Sequence, residues 1–338
     1  MMNATNCSCQ HMPVQRSEIL LVAVYSIVFA IGLPANCLTA YLTWLQIKRH
    51  NVLAIYLFSL SLCELMYLST LPLWIIYVRN EHQWTMGSET CIITGYIFFC
   101  NIYISILILC CISIDRYMAV VYALESRGTR DQRTAVFITV VLFAVVAVIH
   151  CPVFFLDDGK QTLDQKTCFE TLPLKPVLAY FGIARFLCGF VIPFAILSFT
   201  NYKIFQNTNI SSGLNGHQKT KVKYLAIVII IIFLMCFAPY HVVLLIRSVR
   251  YILSPGDSCC FEQEIYTTFV VFLCFSTANS VADPVIYVLA SNNIRKEFYS
   301  VLRRWQRNVS MTLTLRTDSA KSRDSQDAAL ATENRTLK

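Results

Sequence analysis

Seven long apolar stretches constrain the fold of this chain more than any other feature of its sequence. A helix needs about 20 apolar residues to cross the roughly 30 Å hydrocarbon core of a bilayer. The stretches are Ile19–Leu45, Val52–Val78, Ile92–Ile114, Thr134–Leu156, Val177–Tyr202, Tyr224–Ile246 and Ile265–Leu289. Only 14% of the 338 residues are charged, against about 25% in soluble domains. We therefore predict an all-α membrane protein, a bundle of seven transmembrane helices.

The distribution of basic residues sets the orientation of the bundle. Lysines and arginines follow the first, third, fifth and seventh spans, whereas the other loops mix their charges. Cytoplasmic loops are enriched in Lys and Arg, so we expect the N-terminus outside and the C-terminus inside. This rule also explains the net charge of +8, which therefore gives no argument for nucleic acid.

This orientation divides the chain into four segments. They are an extracellular N-terminal segment (1–18), the seven-helix bundle (19–290), an amphipathic helix on the inner membrane surface (291–306) and a disordered cytoplasmic tail (307–338). Two glycosylation sequons, at Asn3 and Asn6, fall in the outer segment. We expect a multi-pass protein of the plasma membrane with both sequons glycosylated.

Two cysteines lie where an oxidising environment would favour a disulfide. Along a helix, Cys91 is about 37 Å from Arg116, which places Cys91 at the outer end of the third span. A bridge from Cys91 to Cys168, in the loop after the fourth span, would hold that loop over the mouth of the bundle. We also expect a second bridge on this side, and its partners stay open: Cys7 or Cys9 with Cys259 or Cys260.

Three spans each contain one formal charge: Glu64, Arg185 and Asp283. A charge at the centre of the bilayer costs about 3 kcal/mol on insertion scales, and such residues usually face the bundle interior and serve function. Asp283 is followed by Pro284, which removes a helix hydrogen bond. These costly residues are the first candidates for a functional site.

Short motifs in six of the spans resemble those of rhodopsin-like (class A) G-protein-coupled receptors. They are Gly32-Leu-Pro-Ala-Asn36, Leu60-Ser-Leu-Cys-Glu64, Asp115-Arg116-Tyr117, Pro193, Phe233-Leu-Met-Cys-Phe-Ala-Pro239 and Asp283-Pro-Val-Ile-Tyr287. Their order and topology match the family from Ile19 to Trp305. The stretches 53–80, 96–128 and 234–247 resemble the family's proton-sensing branch most closely, and within it a member that responds to acyl lipids.

The resemblance implies roles for residues along the bundle. Residues expected to couple to the G protein are Asp115, Arg116, Tyr117 and Tyr287. Residues expected to form the activation hinge are Phe233, Phe237, Pro239, Pro193 and Pro284. The implied partners are heterotrimeric G proteins, arrestin and receptor kinases. Many relatives place an acid at the start of the sixth span, where this chain has Lys219, so we expect some basal activity.

A polar pocket in the middle of the membrane is also implied, formed by Glu64, Ser105, Asn279 and Asp283. Two carboxylates at close range cannot easily both ionise in a low-dielectric site. We hypothesise that Glu64 and Asp283 share a proton whose loss or gain switches the packing. The alternative is a permanently protonated pair that only stabilises the fold. In most relatives the second-span acid is Asp, the seventh-span residue is Asn, and the pocket holds sodium. Both positions are acids here, so sodium at Glu64 and Asp283 is a disfavoured alternative, and we expect no other metal or cofactor.

Arg185 is the clearest candidate for ligand binding. An intramembrane arginine must face inward and find a partner, and a fatty-acid carboxylate could pair with it in bidentate fashion. The alternative is an ion pair with loop acids such as Asp157, Asp158 or Glu170. Residues expected to line the rest of the ligand slot are Phe98, Phe99, Ile102, Tyr240, His241 and Phe275, with Arg247 as a second anchor. We expect His82, by contrast, to be a solvated loop residue.

The sequence thus favours a receptor that converts binding of an acyl lipid, modulated by protons, into G-protein activation. A receptor that responds mainly to protons is the nearest alternative. A proton or ion transporter is a distant one, because it would show paired repeats or broken helices, and the sequence shows neither. An enzyme is disfavoured because no catalytic triad, metal-spaced histidine cluster or phosphate loop is present.

Overall fold

The computed structural model describes residues 17–122, 130–151, 167–169, 174–210, 216–254 and 258–290, together with Arg303, Arg307 and Met311. The chain divides into two units, Met1–Ala290 and Ser291–Lys338. Several predictions therefore lie outside the described residues. They concern Asn3, Asn6, Cys7, Cys9, the side chain of Cys259, the first sixteen residues, and nearly all of segments 291–306 and 307–338.

The described part of the first unit is helical. Its helices are α1 (Glu18–Ile47), α2 (Val52–Arg79), α3 (Ser88–Val121), α4 (Gln132–His150), α5 (Pro176–Phe186), α6 (Ile192–Ile210), α7 (Gly216–Leu253), α8 (Ser258–Ser276) and α9 (Asn279–Ala290). A π-helical turn, Leu187–Val191, joins α5 to α6. Together they supply seven helical stretches long and apolar enough to cross a membrane, which confirms the predicted seven-helix bundle.

Large apolar side chains cover the outside of the bundle, as expected for a protein surrounded by lipid. Phe137, Val148 and Met235 are 69–71% exposed, and a water-soluble domain would rarely tolerate so many such residues. The middle of the bundle is α3, whose polar and apolar residues are both buried. The bundle thus presents an apolar exterior to the bilayer and keeps its few polar groups inside.

The fifth span is not a uniform helix. The π-helical turn at Leu187–Val191 adds one residue to the turn directly after Arg185, and such turns are frequent at functional sites. Gly189, within it, lies against the ring of Tyr103: a Cβ at this position would be 2.2 Å from Tyr103 Cε1. The lack of a side chain therefore lets Tyr103 lie against the fifth span, close to Arg185.

The seventh span is interrupted, which the sequence did not lead us to expect. Thr277 and Ala278 form a turn between α8 and α9, several residues before Pro284. Pro284 has no N–H to donate to the carbonyl of Ser280, four residues earlier. That carbonyl instead accepts a hydrogen bond of 2.8 Å from Asn36 Nδ2. The carbonyl freed by the proline is thus used to attach α9 to α1.

The outer end of the bundle contains the predicted disulfide. Cys91 and Cys168 are bonded, which confirms the bridge, and Cys260 is also disulfide-bonded, to a partner outside the described residues. Phe169, next to Cys168, lies so close to Gly95 that a Cβ there would be 1.9 Å from its ring. The bridge and the glycine together place the Phe169 ring over the helices.

The fourth span differs from its predicted bounds. The helix α4 ends at His150, whereas the apolar run predicted a helix to Leu156. Residues 152–166 lie outside the described part of the chain. Cys151, the residue between the helix end and Pro152, still has α-region dihedral angles, φ −55° and ψ −31°. Pro152 itself has no N–H to donate to a longer helix.

Candidate functional site

A cavity of about 380 Å³ lies among the outer halves of the helices. Its described walls are mostly aromatic and aliphatic, and the only formal charges among them are Arg185 and Arg247. Predicted ligand residues in the wall are Phe98, Phe99, Arg185, Tyr240 and Arg247. An apolar cavity with a few polar groups is the usual form of a small-molecule binding site.

Arg185 has no hydrogen bond or ion pair within the described residues, and its Nε is buried without a partner. Its guanidinium is surrounded by aromatic rings, with centroids 4.3 Å away for Phe99, 5.1 Å for Phe181 and 5.4 Å for Tyr103. Such cation–π contacts stabilise the charge, but they leave its N–H donors unused. The site therefore holds a cation ready to bind an anion.

Further polar atoms without partners in the described structure lie near Arg185. They are Tyr103 Oη, Tyr240 Oη, His150 Nε2 and His241 Nε2. The ring of His150 stacks on Tyr103 at 5.0 Å, and that of His241 lies edge-on to Tyr103 at 5.9 Å. Buried polar groups are rarely left unsatisfied, so this cluster indicates a place where water or a polar ligand group binds.

Three predicted ligand residues do not line the cavity. His241 is fully buried beneath it, where its Nδ1 lies 2.8 Å from the carbonyl oxygen of Phe237. Ile102 is buried in the core of the bundle, while Phe275 is 40% exposed on its outside. A residue one turn deeper than the cavity wall packs in the core, and a residue one position further around the helix faces the lipid.

His82 is also placed differently from the prediction. It is only 2% exposed, its ring lies 5.1 Å from that of Tyr77, and it lines the cavity. The loop between α2 and α3 turns inward at this point, where His82 adopts a positive φ of 59°. The expectation of a solvated histidine was therefore wrong.

Arg247 lies at a second position in the cavity wall, and its charge is already compensated. Its Nε donates to Glu262 Oε2 at 2.9 Å, and its Nη2 contacts the same oxygen. The guanidinium also lies 4.0 Å from the ring centroid of Phe269. The side chain of Glu262 is 1% exposed, so this is a buried ion pair between α7 and α8.

The mid-membrane polar pocket is centred on Glu64. Its Oε1 accepts hydrogen bonds from Ser105 Oγ at 2.7 Å and Asn279 Nδ2 at 2.9 Å, and its Oε2 accepts one from Ser280 Oγ at 2.5 Å. The pocket joins α2, α3 and α9 through this single carboxyl group. Ser280, which the sequence motifs did not indicate, is its fourth member.

Asp283 is close to this network without being part of it. Both of its carboxyl oxygens are fully buried and have no hydrogen-bond partner within the described residues. The two acids therefore share no hydrogen bond within the described residues. The shared proton, and its alternative of a permanently protonated pair, both stay predictions. The site still has a buried acid that must be protonated or hydrated.

At the cytoplasmic end, Asp115 holds two arginines. Arg116 Nε donates to Asp115 Oδ2 at 3.1 Å, and Arg130 Nε donates to Oδ1 at 2.9 Å. The Asp115 side chain is 5% exposed. Tyr287 is fully buried and contacts Ser61 Oγ and the carbonyl oxygen of Leu57, while Tyr117 lies at the surface near Tyr122.

Aromatic residues connect the cavity to the predicted hinge. The ring of Phe190 stacks on Phe233 at 5.2 Å and on His241 at 5.4 Å, and Phe233 contacts Phe237 at 6.1 Å. Phe233 and Phe237 are fully buried. His241 also contacts the wall residue Tyr240, with ring centroids 4.9 Å apart, so the stack connects the cavity wall to Phe233 and Phe237.

Comparison with known proteins decides the family. Residues 35–287 match the model of the "7 transmembrane receptor (rhodopsin family)". The chain belongs to this family. Its members are receptors and not enzymes, and they lie in the plasma membrane as multi-pass proteins. The resemblance inferred from the motifs is thus confirmed.

Individual relatives agree with this assignment. The chain is 51% identical to the human "Probable G-protein coupled receptor 132" over 88% of its own length and 78% of that protein's. The mouse protein of the same name is 50% identical, with coverages of 96% and 83%. The human "G-protein coupled receptor 68" is 34% identical over 83% of this chain and 76% of its own length. These relatives confirm the branch of the family that the sequence indicated.

Proposed function

We propose that this receptor binds an extracellular acyl lipid with an anionic head group, an oxidised or hydroxylated fatty acid or a related lipid, and in response activates heterotrimeric G proteins. The observation that carries the proposal is Arg185, which lies in the wall of an apolar cavity and has no ion pair among the described residues. The bundle would be preceded by the extracellular segment 1–18 and followed by the surface helix 291–306 and the tail 307–338. Arrestin and receptor kinases would regulate it.

The chemistry of the cavity supports a lipid over a polar ligand. Phe99 and Phe181 lie against Arg185, and together with Phe98 in the same cavity wall they offer apolar contact to an acyl chain. In such surroundings a carboxylate gains a charge-assisted, bidentate hydrogen bond from the guanidinium. The alternative partners in the loop, Asp157, Asp158 and Glu170, lie outside the described residues, and Arg185 has no ion pair among those described.

The proton is a second candidate ligand, supported by the buried acids Glu64 and Asp283 and by the cavity histidines His82 and His150. The break at Thr277 is one feature in favour of the transporter alternative, but membership of a receptor family argues against it.

In the proposed coupling, Arg116 leaves Asp115 and, with Tyr287, contacts the C-terminal helix of a Gα subunit.

The proposal is tested by comparing a hydroxylated octadecenoic acid with its methyl ester in cells that express the receptor. We expect the acid to activate G proteins and the ester, which lacks the negative charge, to be inactive. The assay is run at about pH 7.4 and about pH 6.0, on either side of the histidine pKa of roughly 6.5. A response to acidification alone, with no response to the lipid, would favour the proton.

A further expected result concerns Arg130, the second partner of Asp115. When Arg116 leaves, Arg130 would still compensate the buried carboxylate. Leaving such a group without a partner costs about 3–5 kcal/mol, so Arg130→Gln should lower basal and agonist-stimulated nucleotide exchange on Gα by roughly tenfold or more. The exposed neighbour Arg133 supplies the control, Arg133→Gln. Increased basal exchange in Arg130→Gln would mean that Arg130 restrains the resting state instead.

A further inference from the structure

The charged residues of the cavity could determine which lipid head groups it accepts. Two arginines, Arg185 and Arg247, are the only formal charges among the described residues that line it. Arg185 has no ion pair in the described structure, whereas Arg247 is paired with Glu262. The two arginines and this glutamate sum to one positive charge.

Glu262 lies behind Arg247 and not in the cavity wall itself. Its side chain is 1% exposed and that of Arg247 is 9% exposed, so neither charge is screened by bulk water. Both Nε and Nη2 of Arg247 are directed to one oxygen of Glu262, and the ring of Phe269 covers the guanidinium. The charge of Arg247 is therefore compensated by its own partner, whereas that of Arg185 has no ion pair among the described residues.

We propose that Glu262 is a specificity residue that restricts this receptor to lipids with a single negative charge. A monoanion neutralises the single positive charge of the cavity. A phosphate monoester with nearly two negative charges would leave an uncompensated charge in a low-dielectric site, unless it displaced Glu262 from Arg247. Both routes are costly, and rejection by an unfavourable charge is a common source of specificity. This inference rests on the proposed function.

The test compares two probes that share an acyl chain type and differ in head-group charge: a hydroxylated octadecenoic acid and oleoyl lysophosphatidic acid. In the unmodified receptor we expect G-protein activation by the fatty acid and a weak response or none to the phosphate. In Glu262→Gln, Arg247 is free to take the second phosphate charge. The potency of the phosphate relative to the fatty acid should then rise by about tenfold or more, the effect of roughly 1.4 kcal/mol.

Two further variants separate charge selection from a structural role. Glu264 is exposed on the same helix, and Glu264→Gln should leave the potency ratio unchanged. The double variant Arg247→Gln with Glu262→Gln has lost one charge of each sign, so the cavity again has one positive charge. The potency of the phosphate relative to the fatty acid should return to within about threefold of the original value. This residual change is smaller than the tenfold shift, roughly 1.4 kcal/mol, expected for Glu262→Gln alone. A structural effect of losing the pair would instead persist in the double variant.

Each outcome of this test bears on the proposal. An unchanged ratio in Glu262→Gln, with a normal response to the fatty acid, would overturn the role of Glu262 and leave the proposed function intact. A ratio that stays raised in the double variant would also overturn it. If no version of the receptor at normal surface level answers either probe, the proposed function fails and this inference fails with it.

Discussion

Replacement of Arg185 by glutamine is expected to reduce the potency of anionic acyl lipids by about 100-fold, the largest effect that we foresee on signalling. Removing one partner of a buried, hydrogen-bonded charge pair costs 2 to 5 kcal/mol or more, and about 2.7 kcal/mol corresponds to a factor of 100. Glutamine retains polarity and hydrogen-bond donors, so the change isolates the positive charge. The measurement is the concentration dependence of G-protein activation at matched surface expression.

Two variants control for effects unrelated to the anchor. Arg185→Lys keeps the charge but loses the bidentate geometry, and should fall between the original receptor and Arg185→Gln. Arg250 is an exposed arginine near the outer end of α7, whose guanidinium lies 5.8 Å from the ring of Phe261, and Arg250→Gln should have no effect. Undiminished activation of Arg185→Gln by the fatty acid would show that the head group binds elsewhere.

The second large effect is expected on stability, in the variant Glu64→Leu. Glu64 accepts hydrogen bonds from Ser105, Asn279 and Ser280, and leucine would leave these three donors buried without an acceptor. Each unsatisfied group costs about 1–3 kcal/mol, so the loss is a large share of the 5–15 kcal/mol that usually stabilises a protein. We expect the variant to be retained inside the cell and, in detergent, to unfold roughly 10 °C lower than the original receptor.

Glu64→Gln is the matched comparison for this prediction. Its amide oxygen can still accept hydrogen bonds, so surface expression should remain within about twofold of the original receptor, consistent with a stability change well below 1.4 kcal/mol. The control is Glu81→Leu, the same substitution at an exposed glutamate that follows α2. Normal expression and thermal stability of Glu64→Leu would contradict the central role assigned to this carboxyl group.

The fold was predictable because it depends mainly on the local composition of the sequence. A span of apolar residues must form a helix in lipid, and its position can be read from composition alone. The motif residues are likewise fixed by their distance from the helix ends, which is why Cys91 and Arg116 could be placed at opposite ends of α3. Tertiary contacts were not needed for either inference.

The details of the site depend on contacts between distant parts of the chain, and these were not predictable. Tyr103 was missed because its approach to Arg185 requires Gly189 on another helix and a π-helical turn. Glu262 was missed because it precedes the apolar run that defined the seventh span, and its pairing with Arg247 joins two different helices. A helical period alone did not distinguish the wall residue Tyr240 from His241, its buried neighbour.

The interruption of the seventh span illustrates a further limit. Pro284 was expected to bend the helix where it lies, but the break is at Thr277 and Ala278. The carbonyl that Pro284 leaves free at Ser280 is occupied by Asn36, a partner more than two hundred residues away in the sequence. The missing N–H of proline predicted the loss of a helix hydrogen bond, but it did not predict that the Asn36 side chain would donate in its place.

The most direct measurement is an experimental structure of the receptor with a bound hydroxylated octadecenoic acid. We predict that its carboxylate carbon lies within roughly 4 Å of Arg185 Cζ, as in a bidentate pair, with the acyl chain among Phe98, Phe99 and Phe181. The Arg247–Glu262 ion pair should remain closed in this complex. A carboxylate bound at Arg247, or a lipid bound outside the cavity with Arg185 unoccupied, would contradict the proposed anchor.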